Sequence, residues 1–348
     1  MKFTIETTKL NHVLNKVAKG LGKSQMLPVT NYFQFIIEDG DLTVTATDNV
    51  NFVSYLLANV NGEDGEVIIK ADPLMKLVAK TTAKEMEFDF DDYILEVKGN
   101  GKYKIPVYDN DDFPTYDIPS DIEPTELDLF DIKEMLNTNK SAIAIDDTLP
   151  CLMGYNVGGD YNITTDGIKM CINEIDLFNE NFLMTQELAD LVVSMEGEKV
   201  NVWKEDNKII FETDTMTVFG TELEGIDEYP DITPVLKLEY ENKVTISKSD
   251  LLAIIDRLDI FVGEEENYGV FLNFKKDKLV VEDINKNSFE ELQVNGGEEI
   301  SIAVNIHFLK HILNAVKDDV VNLEYAEGFP LKIHEEHVTL FLSTMAVE

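Results

Sequence analysis

"NITTDGIKM", residues 162–170, sets a Thr-Asp pair at the tip of two short strand-like runs. Residues 42–56, "LTVTATDNVNFVSYL", do nearly the same 118 positions earlier, with Asp48 standing where Asp166 stands. β-branched runs meeting at a polar turn read as a hairpin. A hairpin written twice points to an internal repeat, and the period of that repeat decides the fold.

Apolar anchors give the period. Ile5 is followed by Leu10, Val13 and Leu14, at offsets of five, eight and nine. The same offsets recur at Ile69 with Leu74, Leu77 and Val78; at Leu127 with Ile132, Met135 and Leu136; and at Leu183 with Leu188, Leu191 and Val192. Ile246 gives Leu251, Ile254 and Ile255, and Val304 gives Leu309, Ile312 and Leu313. Each anchor sits in a strand-like run, and spacings of three and four define one helical face, so each of six modules opens strand then helix. Alternating strands follow, as in "YFQFIIEDGDLTVTATD", "MEFDFDDYILEVKGNGKYKI", "KVNVWKEDNKIIFETDTMTVFG" and "VFLNFKKDKLVVEDI". Anchors lie 64, 58, 56, 63 and 58 residues apart. The modules also pair: the Thr-Asp hairpins fall in the first and third, with a related turn at Asn285 in the fifth, and "DDFPTYDIP" is echoed by "DEYPDITP". The expectation is an α+β chain of three tandem domains, residues 1–120, 121–237 and 238–348, each built from two strand-helix-sheet modules.

A chain of 348 residues with 44% hydrophobic content can bury a sizeable core. No run approaches the roughly 18 apolar residues of a membrane span, and "MKFTIETTKLNHV" does not resemble a signal peptide, so the expected location is cytoplasmic. Cys151 and Cys171 match no metal spacing and read as buried reduced thiols. The formal net charge of −38, taken alone, argues for solubility or a basic partner.

With the repeat, "MLPVT" at residues 26–30, "TATD", "TTDGIKM", "DDFP" and "EYPDITPVL" carry a resemblance across essentially the whole chain. The chain resembles the bacterial sliding clamp, the beta subunit of DNA polymerase III. The resemblance implies a ring-shaped homodimer with helices lining the inside. It would encircle double-stranded DNA without reading sequence, and would tether DNA polymerase and other clamp-binding-motif proteins for processive DNA replication after a clamp loader has closed it. It further implies a partner-peptide pocket at Leu152, Thr165, Gly167, Ile168, Lys169, Met170, Pro230, Pro234, Val235, Phe341 and Ser343. A dimer interface follows, with Tyr103 and Ile105 against Phe261 and Val262. Three departures stand out: a short chain, the tail "FLSTMAVE" in place of Met-Pro-Met-Arg-Leu, and Pro234 where a base is common. With the acidity, they suggest a viral or mobile-element member.

Charge placement tests the ring. The thirteen residues beginning two after each anchor hold eleven Lys or Arg and ten Asp or Glu over the six modules, while the remainder holds 18 and 57. Glu suits helices about as well as Lys, so propensity alone does not account for acids avoiding them. Residues 185–197 are the exception, with Glu187, Asp190, Glu196 and no base. The candidate DNA-binding set is Lys9, Lys16, Lys19, Lys23, Lys76, Lys80, Lys133, Lys140, Lys248, Arg257, Lys310 and Lys317. Arg257 is the single arginine, which suits loose phosphate contact rather than base reading, although an A+T-rich genome would leave the same bias. Two other classes stay open. One is an acidic DNA-mimic inhibitor, whose acids should cover all surfaces. The other is a non-encircling peptide-binding scaffold.

Catalytic patterns fail on inspection. "GLGKS" at residues 20–24 has Val17 where a phosphate loop needs Gly, and it follows a helix instead of opening one. His307 and His311 have metal-ligand spacing but no adjacent acid; His334 and His337 fall on opposite faces of a strand. Asp146 and Asp147 mean little among 67 acids. No enzyme activity, metal or cofactor is expected.

Overall fold

The computed structural model describes residues 1–22, 28–91, 94–108, 113–146, 148–295 and 298–346. Lys23, Asp147, the Met26-Leu27 start of "MLPVT" and the Asp111-Asp112 start of "DDFP" lie outside the described residues.

Six helices stand where the offsets place them: α1 (Thr7–Val17), α2 (Ala71–Lys80), α3 (Leu129–Asn139), α4 (Gln186–Val193), α5 (Lys248–Leu258) and α6 (Ile306–Ala315). Of the apolar positions that define their faces, only Leu77 is not fully buried. Each such Leu or Ile contributes about 1.5–3 kcal/mol by leaving water, and this holds the short helices in place. Caps fix the starts of two: Asn305 Oδ1 accepts the N–H groups of His307 and Phe308 at 2.9 and 3.1 Å, and Ser247 Oγ accepts that of Asp250 at 3.2 Å. No helix among the described residues is long and apolar enough to cross a membrane.

All six anchors lie in strands, and the strands show why modules come in pairs. The first module's anchor strand, Lys2–Glu6, pairs with Glu85–Asp91 of the second, and the second's, Gly65–Lys70, pairs with Tyr32–Glu38 of the first. The third and fourth modules exchange anchors in the same way (Thr125–Asp128 with Lys199–Glu205, Phe182–Met184 with Tyr155–Val157). So do the fifth and sixth (Asn242–Ser247 with Val320–Tyr325, Ile300–Asn305 with Gly269–Phe274). A module cannot complete its own sheet. The exchange yields six antiparallel half-sheets, each an anchor strand followed by a three-strand meander.

The chain divides into two compact units, Met1–Lys133 with Glu187–Glu222, and Glu134–Gln186 with Leu223–Glu348. In the first unit two half-sheets join through Phe52–Leu57 and Met216–Thr221 to make eight strands, with Phe52 opposite Phe219. In the second, Lys169–Asn173 joins Val338–Leu342 the same way, with Met170 opposite Phe341. Among the described residues, each unit keeps one half-sheet unjoined. The first ends in the edge strand Lys102–Ile105, the second in Phe289–Gln293.

Candidate functional site

The Thr-Asp turn is built by the same bonds in both copies. Thr47 and Thr165 donate their hydroxyls to the carbonyls of Asn51 and Lys169, both at 2.7 Å, and accept the N–H groups of Asn49 and Gly167. Asp48 Oδ1 accepts from Val50 and Asn51 at 2.8 and 2.6 Å; Asp166 Oδ1 accepts from Ile168 and Lys169 at 2.9 and 2.6 Å. Asn49 and Gly167 take the left-handed backbone at φ 81° and 83°, which the pattern demands and Gly adopts freely. In the fifth module Asp283, two residues before the expected Asn285, accepts the N–H groups of Asn285 and Ser288 and so closes a longer turn.

Around the second copy the pocket residues divide. Met170 and Val235 pack, partly exposed, on a buried floor of Ile163, Ile172, Ile232 and Phe341. Pro230, Pro234, Ile168 and Ser343 are exposed around them, and the Ser343 N–H donates to the Ile168 carbonyl at 2.8 Å, tying the last strand to the turn. Leu152 lies in a neighbouring buried cluster with Ala144, Cys151 and Leu183. Tyr229 touches both clusters and donates its hydroxyl to the Ile163 carbonyl at 3.3 Å; burial pushes that hydroxyl far above the ordinary tyrosine range. Thr165 and Gly167 serve the turn. Tyr229, Ile232, Ile163, Ile172 and Tyr240 were missed in the sequence, although "EYPDI" contains the first two. An apolar floor with an exposed apolar fringe can receive a Leu or Phe side chain.

Lys169 points the other way, as strand alternation requires. Its buried ammonium donates to the Ser141 carbonyl at 2.9 Å and to His311 Nδ1 at 3.3 Å, and pairs with Asp166 at 3.1 Å. It braces the turn from beneath. Burial first, and the Lys169 charge second, hold His311 below the usual histidine range. His307 instead meets Asp259 at 2.6 Å, so the two histidines face different partners. Among the described residues no group of three His, Cys, Asp or Glu side chains gathers as a metal site.

The predicted bases fall into three kinds. Lys16, Lys133 and Lys248 are half-buried, and their ammonium groups donate to backbone carbonyls just past a neighbouring helix. Lys16 reaches Ser194 O at 3.1 Å and Lys133 reaches Met195 O at 2.6 Å beyond α4; Lys248 reaches Val316 O at 2.7 Å beyond α6. Helix α4, which has no base of its own, is thus served by two from its neighbours. Burial, then the adjacent Lys16, lowers the Lys133 amine from the usual lysine range. Lys9, Lys76, Lys317 and Arg257 are exposed and Lys310 is half-buried, but all are paired, with Glu6, Asp72, Glu134, Glu290 and Asp256 respectively. Lys19 and Lys80 are exposed, and so is Lys140, which has a partner of its own.

At the predicted interface Tyr103 is partly exposed on its edge strand and Phe261 is 62% exposed. Ile105 is only 5% exposed, because it faces the core of its own unit, and Val262 packs against the core of the second. The two edge strands differ in charge: "KYKI" carries Lys102 and Lys104, while "FEELQ" carries Glu290 and Glu291 beside an exposed Phe289.

Residues 1–117 match the family model for the DNA polymerase III beta subunit, N-terminal domain, and residues 234–342 match that for its C-terminal domain. A beta sliding clamp of Staphylococcus epidermidis is 21% identical over 357 residues, 93% of each chain. The DNA polymerase sliding clamp of Bacillus subtilis superposes over 100% of both chains with a TM-score of 0.90 at 16% identity. A sliding clamp of Pseudomonas aeruginosa, crystallised with griselimycin, does so with a TM-score of 0.91 at 20% identity. Six exchanged half-sheets, the duplicated Thr-Asp turn and these matches lead to one conclusion: the chain belongs to the DNA polymerase III beta subunit family.

Proposed function

We propose that the chain is a DNA sliding clamp, in which two copies close a ring around duplex DNA and tether a DNA polymerase and other clamp-binding-motif proteins. One observation carries this reading: among the described residues, four of six equivalent half-sheets join within the chain and two present unpaired joint strands, Lys102–Ile105 and Phe289–Gln293. Pairing each with the other on a second copy completes every sheet. The opposite charges of the two strands favour that pairing over like with like. The domain limits near residues 120 and 237 belong to the same proposal, as do cytoplasmic location, dependence on a clamp loader and absence of catalysis.

Retention would be topological. Most predicted bases are neutralised by carboxylates or engaged with carbonyls, so each phosphate contact is weak and readily screened. The apolar patch at Met170 and Val235 would take the Leu or Phe of a partner peptide. The test is retention on nicked circular duplex after loading, compared with the same circle cut once. The clamp should remain on the circle through a salt wash and leave the linear form; equal retention on both would sink the reading.

A further inference from the structure

Register places Glu126, Asn201, Glu212, Thr217 and Ser54 in one row across five strands of the first unit's eight-stranded sheet. Directly opposed residues share a face, so the row forms a polar floor. Tyr116, from the linker, lies over one end of it: its hydroxyl is 3.1 Å from Ser54 Oγ and its ring stacks on Phe219 with centroids 5.2 Å apart. Leu56, Thr43, Thr215 and Asp214 extend the lining of a cavity of about 500 Å³.

The repeat supplies an internal control. The matching row in the second unit reads Thr245, Asn322, His334, Thr339 and Ile172. There the polar groups satisfy one another, Thr245 donating to Asn322 at 2.9 Å and His334 Nδ1 meeting Thr339 Oγ1 at 3.0 Å, and Ile172 fills the place of Ser54. In the first unit the corresponding acid, Glu212, is half-buried and its carboxylate accepts no hydrogen bond from any described residue. Burial alone pushes that carboxyl above its ordinary range. A partly desolvated carboxylate without a protein donor gains from a bound cation.

We propose that this cavity binds a primary alkylammonium group, with Glu212 as its counter-ion. The Ser54 and Thr217 hydroxyls, both beside Tyr116, keep acceptor lone pairs for the N–H donors of an ammonium. Exposed Leu56 and the Tyr116 ring can flank an alkyl stem. Glu126 and Asp214 add negative charge to the lining, whereas the one base in it, Lys199, is turned to Asp128 at 3.6 Å. An anion has no place there. A free polyamine and a lysine side chain share this chemistry.

Titration calorimetry of the full chain in physiological salt, with spermidine in one arm and a short neutral-flanked lysine peptide in the other, tests the site. Binding in either arm should weaken about tenfold or more in Glu212→Gln, and the tighter arm names the source. Acetylating the peptide lysine should abolish its binding. Failure of both ligands at millimolar concentration overturns the proposal. So does equal binding by wild type and Glu212→Gln, which would mark general attraction to an acidic chain. If the variant does not fold, the wild-type Glu212 carboxyl carbon, followed by NMR, must shift on titration; an unmoved signal overturns the site as well.

Discussion

Glu196, three residues past α4, gathers charge that the helix lacks. Lys16 pairs with it at 2.9 Å and His12 at 3.0 Å. Burial raises its carboxyl, but the hydrogen bonds from Lys16 and His12 outweigh burial and hold it below the usual carboxylate range. A depressed carboxyl stabilises the fold above the ordinary carboxylate pKa, and that contribution disappears as pH falls through the folded value. Glu196→Gln is therefore expected to cost about 0.5–1 kcal/mol at neutral pH, as suits a partly exposed pair. In thermal melts the difference from wild type should vanish in acid. The patch residues give a sharper contrast. Met170 is partly exposed, so Met170→Ala should leave the melting point nearly unchanged while weakening a labelled clamp-binding peptide by about 1–2 kcal/mol, or roughly ten- to thirtyfold, in fluorescence anisotropy. Phe341 is 5% exposed in the floor, so Phe341→Ala should cost about 3–5 kcal/mol of stability. A large melting loss in Met170→Ala with unchanged peptide affinity would assign both residues to the core alone.

The helices and their anchors were legible because burial of one face leaves a three-and-four spacing that sequence preserves. The exchange of anchor strands was not, since Ile5 would look the same whether its strand joined its own meander or the next. Alternation placed Lys169 opposite Met170 correctly, yet it could not say that Ile105 faces the core, because periodicity marks a face without saying what covers it. Ion pairs were equally hidden: nothing near Arg257 in sequence announces Glu290, which meets it from an edge strand through two hydrogen bonds, the longer at 2.7 Å. The edge strand itself carries a prediction. Phe289 is 59% exposed at the start of the strand that forms the proposed joint, so Phe289→Glu should weaken dimerisation about thirtyfold or more without lowering the melting point of the chain. Light scattering after size exclusion would read the change from dimer to monomer, and a dimer persisting at low micromolar concentration would place the joint elsewhere.

At the scale of the whole molecule, 67 acidic residues against 29 basic ones leave a surplus that the helices largely escape. The proposed joint unites two unlike strands, one bearing lysines and the other glutamates. Copies linked through unlike faces need not stop at two; until the ring closes, each addition leaves the same pair of ends exposed. Only the angle turned per copy, fixed by the twist of the sheets, decides whether those ends meet. A substitution that alters twist far from the joint, and leaves every contact in it intact, would therefore announce itself by growth. Such a chain would form open fibres whose mass rises with concentration, while each protomer remained folded.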